Sequence, residues 1–224
     1  MKKLSSAILL AAMLGLGLCM AGTVLAAPAK TADQTLDEAW TAYNIGQYNK
    51  VVQMVQPLAS EGNPRAQVLL ARCYENGLGV TQDMETAAKW FRIAAEQNYA
   101  EAQVQLGYLY ELGAGVPKND TAVADLMSRA ASAGNAEAQF NLALYYSQGR
   151  YGFAKDPDQS FVWAKRSADQ GFAQAQRYVG ACYEFGVGVP VNPSEAAAWY
   201  SKAAAQGLEK EGNIFNTERV YTMP

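Results

Sequence analysis

The chain contains no histidine. That absence excludes the Ser-His-Asp and Cys-His arrangements in which an imidazole takes the nucleophile's proton. It also removes one of the main nitrogen donors of zinc sites. Cysteine is scarce, with three in 224 residues. Positive charge is thin as well: 18 basic side chains face 21 acidic ones, and no cluster of Lys and Arg appears. Nucleic acids and anionic membrane surfaces are bound through such clusters, so neither is expected as a partner.

What is present begins with a leader. Lys2 and Lys3 precede an apolar run from Ala7 to Met20, and Val24-Leu25-Ala26 forms a small-residue cleavage site. Residues 1–26 therefore read as a secretory signal peptide, cut after Ala26, and the mature chain is expected in the periplasm or outside the cell, without membrane insertion. Leu18 stands before Cys19 where a lipoprotein signal would carry a small residue, which argues against a lipid anchor. The leader holds two lysines and no acids, so the mature chain keeps 16 basic and 21 acidic side chains.

Beyond the leader the chain repeats itself. Ala66, Ala102, Ala138 and Ala175, each followed by Gln, are spaced 36, 36 and 37 residues apart. Three copies carry a Gly-x-Gly-Val turn, at Gly77, Gly113 and Gly186, while the third copy has Gly149 and Gly152 with one extra residue. That irregular loop is expected to protrude and to expose Tyr151 and Phe153.

Local rules divide each copy into two helices. Asn63 suits an N-cap and Pro64 the first helical position, and Ala66, Leu70, Cys73 and Tyr74 share one face. Gly77, Gly113, Gly149 and Gly186 stand where a left-handed C-cap is needed. Asp83, Asn119, Asp156 and Asn192 are N-cap types that open the second helices, each seven residues before Trp90, Leu126, Trp163 and Trp199. Gln159 and Glu195 stand where a capping box would place them. The tryptophan-type positions are expected in the core. Because these turns end helices and open none directly, no phosphate cradle is expected.

These residues resemble the Sel1-like repeat family, relatives of the tetratricopeptide repeats, whose units pair an A-x-x-x-L-G-x-x-Y helix with a G-x-G-V turn. The expected plan is four repeats at 63–98, 99–134, 135–171 and 172–207. A tetratricopeptide-like cap at 36–62 follows a mobile segment at 27–35. The tail at 208–224 covers the last repeat through Ile214, Phe215, Val220 and Tyr221, stays mobile, or inserts into a partner. The resemblance implies an all-α, right-handed superhelix with the first helices on its concave side, and a role as an adaptor for protein complexes. Stacked repeats advance about 10 Å per unit, so Cys73 and Cys182, three steps apart, cannot form a disulfide with each other. They are either buried thiols or the makings of an intermolecular bridge.

Positions that recur between copies belong to the core, and the stripe beside them on the first helices varies. From that stripe Arg72, Tyr108, Tyr178 and Phe185, with Leu144 as an apolar neighbour, are candidate contacts for a protein or peptide partner, because aromatics and arginine are frequent anchors. Tyr108 or Phe185 packing against the adjoining repeat is the alternative. No catalytic, metal or cofactor residue is assigned. Two further readings remain: an inhibitor or immunity-type protein that blocks an envelope enzyme or toxin, and a cell-wall or β-lactam hydrolase. Certain cysteine-rich Sel1-like proteins are associated with the latter activity, but this chain lacks their paired cysteines.

Overall fold

Most helix starts carry a side chain that can hold the free N–H groups of a first turn, and the fold follows from those starts. In the computed structural model, which describes residues 30–210 and 215, ten helices follow one another. They are α1 (Ala32–Asn44), α2 (Tyr48–Ser60), α3 (Pro64–Asn76), α4 (Met84–Glu96), α5 (Ala100–Leu112), α6 (Asp120–Ser132), α7 (Ala136–Gln148), α8 (Pro157–Asp169), α9 (Ala173–Phe185) and α10 (Pro193–Ala204). No strand occurs among the described residues. Each helix packs on those before and after it in sequence, and the described part from Thr31 onward is an all-α helical solenoid.

The caps are largely those expected. Asn63, Asp83, Asn119, Asp156 and Asn192 each accept a backbone N–H from the first turn that follows. A reciprocal capping box forms at Thr31 and Gln34 instead of at Asn192, where the Glu195 carboxylate turns away to accept from Trp199 Nε1 at 3.2 Å. Thr31 thus starts α1 four residues ahead of Leu36, and the expected mobile segment is helical from Ala32. The leader, its cleavage site, Ile214, Val220 and Tyr221 lie outside the described residues. Phe215 sets its ring edge against Tyr178 at 5.2 Å, over the last hairpin.

Junctions between repeats depend on the second glycine of the turn. A methyl group on Gly115, whose φ is +66°, would stand 2.1 Å from Met84 O at the start of α4. At Gly188 the same addition would meet Pro157 O at 2.1 Å, so backbone touches backbone there and no side chain fits. Buried alanines such as Ala87, Ala94, Ala130 and Ala203 allow similarly close helix packing, and Phe91, Leu70, Leu109 and Met127 fill the space between.

Two expectations about aromatic residues need correction. Tyr151 and Phe153 do not protrude. Tyr151 packs edge-on against Tyr145 at 4.6 Å and its hydroxyl donates to Glu111, while Phe153 tilts against Tyr146 at 4.9 Å. The tryptophan-type positions are also mixed. Leu126 and Trp199 are buried, whereas Trp90 and Trp163 are half-buried at the margin of the core. Arg166 lies over Trp163 at 4.5 Å, so that ring covers core on one face and carries a cation on the other.

Candidate functional site

The variable stripe runs along α3, α5, α7 and α9, and several of its side chains join these helices to one another. Arg72 Nη2 on α3 donates to Glu101 Oε1 on α5 at 2.9 Å, and Tyr99 donates its hydroxyl to the other carboxylate oxygen at 3.3 Å. One repeat on, the Tyr108 hydroxyl donates to Glu137 Oε1 and accepts from Asn141 Nδ2, both at 2.7 Å. Burial, and then the Glu137 carboxylate, push the Tyr108 phenol well above its ordinary pKa. At the next junction Phe140 and Tyr178 meet edge to face at 5.8 Å.

These contacts correct two of the five candidate residues. Tyr178 is only 3% exposed: its hydroxyl lies 2.8 Å from Ser160 Oγ, and Phe140 and Phe215 hold its ring. Leu144 is buried at 8% exposure in the same cluster. Neither stands on the surface, because neighbouring elements enclose both side chains in one core cluster. Arg72 and Tyr108 are half-buried and tied to the next repeat. Phe185 alone of the five is openly exposed, at 42%, with the Phe215 ring 6.3 Å away.

The accessible positions cluster at the ends of the first helices. Asn76, Leu112, Gln148 and Phe185 are each the last helical residue before a left-handed glycine, and all four are exposed. Leu112, at 58% exposure, is a residue that anchor chemistry overlooked. Its signal in the sequence was its place in the same column as Phe185. Glu101 and Glu137 were overlooked as well, although they occupy one column and complete the joints to Arg72 and Tyr108.

Cys73 and Cys182 are fully buried and unpaired, and burial pushes their thiols up to about 11 and about 12. A thiol protonated and enclosed in this way is a poor nucleophile, which argues against the intermolecular bridge. Among the described residues no group of three or more Cys, Asp and Glu side chains could hold a metal ion. No helix there is long and apolar enough to cross a membrane.

Four consecutive matches to the Sel1 repeat model, at 64–99, 100–135, 136–172 and 173–208, cover well over half of the chain. The chain belongs to the Sel1 repeat family. Its helices superpose on a Sel1 repeat protein from Oxalobacter formigenes with a TM-score of 0.69 and 36% identity, over 72% of this chain and 46% of that one. A protective antigen of uropathogenic Escherichia coli that displays the SLR fold gives a TM-score of 0.70 at 30% identity, over 79% of this chain and 38% of the antigen. In sequence, chitin synthase regulatory factor 3 of Schizosaccharomyces pombe is 31% identical over 159 residues, which is 70% of this chain and 13% of that protein. The chain thus spans less than half the length of each of these three proteins. What they share with it is a Sel1-type repeat scaffold, a framework suited to protein interaction.

Proposed function

We propose that the protein is an exported adaptor that holds a protein or peptide segment along its first helices. The leader with Lys2, Lys3 and the Ala26 site is the basis for export to the periplasm or beyond. The observation that carries the binding reading is the column of exposed side chains Asn76, Leu112, Gln148 and Phe185, which recurs once per repeat beside the half-buried Arg72 and Tyr108. A solenoid whose units bury their faces only against neighbours offers an extended surface, which suits a chain segment better than a small molecule. Leu112 and Phe185 supply apolar anchors, and the ionic joint of Arg72 with Glu101 supplies a polar margin.

The test is photocrosslinking in the native envelope, with the reactive side chain placed at Leu112 or Phe185 and, as controls, at the exposed second-helix positions Lys89 and Val162. The reading expects one discrete adduct shared by the first two positions and absent from the controls. Equal adducts from both sets, or none from 112 and 185, would refute it. Assaying the captured protein with and without added adaptor then separates scaffolding, which leaves its activity intact, from blockade.

A further inference from the structure

The glutamine that follows the repeat's first alanine is buried in every copy, and in three copies both ends of its amide are used. Gln67, Gln139 and Gln176 each donate Nε2 to a carbonyl ending the preceding helix, those of Ala59, Ala131 and Ala168, at 3.1, 3.2 and 3.3 Å. Each Oε1 then accepts from a second glutamine at the end of its own repeat: Gln97 at 2.8 Å, Gln170 at 2.8 Å and Gln206 at 2.9 Å. A carboxamide pair thus closes the end of each of these hairpins.

The second repeat lacks the outer half of the pair. Gln103 still donates Nε2 to Ala95 O at 3.3 Å, but Ala133 stands where the other copies have Gln97, Gln170 and Gln206. Gln103 is 1% exposed and its Oε1 has no partner. An open pocket of about 490 Å³ lies at this place, lined by Asn98, Gln103, Ser128, Arg129, Ser132 and Ala133. Two other departures from the repeat meet at this pocket. Asn98, at φ +61°, replaces the glycine found at 134, 171 and 207. Leu126 replaces the tryptophan on which Arg166 and Lys202 rest in later copies, so Arg129 instead donates Nη2 to Asn98 Oδ1 at 3.0 Å and Ala95 O at 3.4 Å.

We infer that this pocket is a binding site for a primary carboxamide, whose NH2 donates to Gln103 Oε1 and whose carbonyl accepts from Arg129. The three intact copies identify the chemistry, since a carboxamide is what fills the same place there. An ammonium group would satisfy Oε1 but offers no acceptor to the Arg129 guanidinium, whose Nη1 already pairs with Asp125 Oδ2 at 3.4 Å. A carboxylate would suit Arg129 but would press its lone pairs against Oε1. A neutral group that both donates and accepts meets both needs. The glutamine or asparagine side chain of a peptide carries such a group, and so does a small free amide. The site stands apart from the first-helix column and does not rest on the docking proposed there.

The test uses the full chain, isotope-labelled and followed by NMR, with N-acetylglutamine methylamide, N-acetylglutamate methylamide and propionamide as probes. The glutamine probe should shift the Gln103 side-chain amide and the Ala133 backbone amide saturably, at least tenfold more tightly than the glutamate probe. Propionamide matching the glutamine probe identifies a free-amide site, and weaker propionamide identifies a peptide side chain. Ala133→Gln should raise the melting temperature by completing the pair from within and abolish probe binding, while Arg129→Ala should weaken binding and leave the fold intact. The inference is overturned if no probe binds, if the glutamate probe binds as well, or if Ala133→Gln retains full binding. A raised melting temperature in Ala133→Gln with no probe binding to the parent would reduce the pocket to an unfilled joint.

Discussion

The turn at Gly113 and the turn at Gly149 follow first helices of equal length, yet they join their repeats to the stack by different means. In the regular turn Gly115 lies so close to the start of α4 that an added methyl group would reach 2.1 Å from Met84 O. In the third copy the residue two beyond the helix-ending glycine is Tyr151, at φ +54°, and a methyl group on the following Gly152 would meet nothing within 4 Å. One extra residue swings this loop away from the neighbouring backbone, and side chains span the gap. Arg150 and Tyr151 both reach Glu111 on α5, and Tyr145, Tyr146 and Phe153 pack beneath them. A backbone joint admits a single residue type, whereas a side-chain joint distributes its stabilisation over several groups.

The widest expected gap is between alanine substitutions at the two turns. Gly115→Ala should lower stability by about 3 kcal/mol or more, because a backbone clash adds to the cost of a left-handed alanine. Gly152→Ala should cost about 1 kcal/mol from conformation alone. Denaturation midpoints in urea measure both, and equal losses would erase the distinction between the joints. Tyr151→Ala comes next. It removes a packed ring and a charge-assisted hydrogen bond, so a loss of about 2 kcal/mol is expected, with faster hydrogen exchange confined to the third turn and the end of α5.

Tyr108→Phe tests a polar joint between first helices of regular repeats. It leaves Glu137 and Asn141 without their shared partner, for an expected loss of about 1–2 kcal/mol. Arg72→Ala, which breaks a more exposed ion pair, should cost no more than about 1 kcal/mol.

The last comparison concerns Cys73 and Cys182, which occupy equivalent places in two repeats with regular turns, and its effect is confined to alkaline pH. Their folded pKa values, about 11 and about 12, lie above the ordinary thiol value of about 8.5. Burial disfavours the thiolate in the native state, so this stability is complete below the ordinary value and is lost as pH climbs from there toward 11 and 12. A Cys73→Ala, Cys182→Ala double variant should flatten the alkaline slope of the unfolding curve. In the parent chain a thiol reagent should label neither cysteine until the protein unfolds.

Much of the fold was legible because most helix starts carry their own chemical signal, although α2, α5 and α9 begin at Gln47, Tyr99 and Phe172 without a side-chain cap. Asn63, Asp83, Asn119, Asp156 and Asn192 cap as their types require, and the glycines take the left-handed conformations that only they adopt cheaply. The candidate site was less legible, and Tyr178 illustrates the reason. Variation between copies suggests exposure, but each junction between first helices carries its own matched set: Arg72 with Glu101, Tyr108 with Glu137 and Asn141, Phe140 with Tyr178. Partners that vary together can be buried together, and a single stripe does not reveal its other half. Within the stripe only the column of Asn76, Leu112, Gln148 and Phe185, at the helix ends, is exposed, and there Phe185 has the Phe215 ring 6.3 Å away.

The account's central claim is that the inner positions of this stripe hold the repeats together while the helix-end column holds a partner. The most direct measurement sets the double variant Leu112→Ala, Phe185→Ala beside Tyr178→Ala, reading the melting temperature and the yield of the envelope adduct from a crosslinker at position 148. The account predicts an unchanged melting temperature with at least a tenfold loss of adduct for the first, and a lowered melting temperature for the second. Undiminished adduct from the double variant would contradict it.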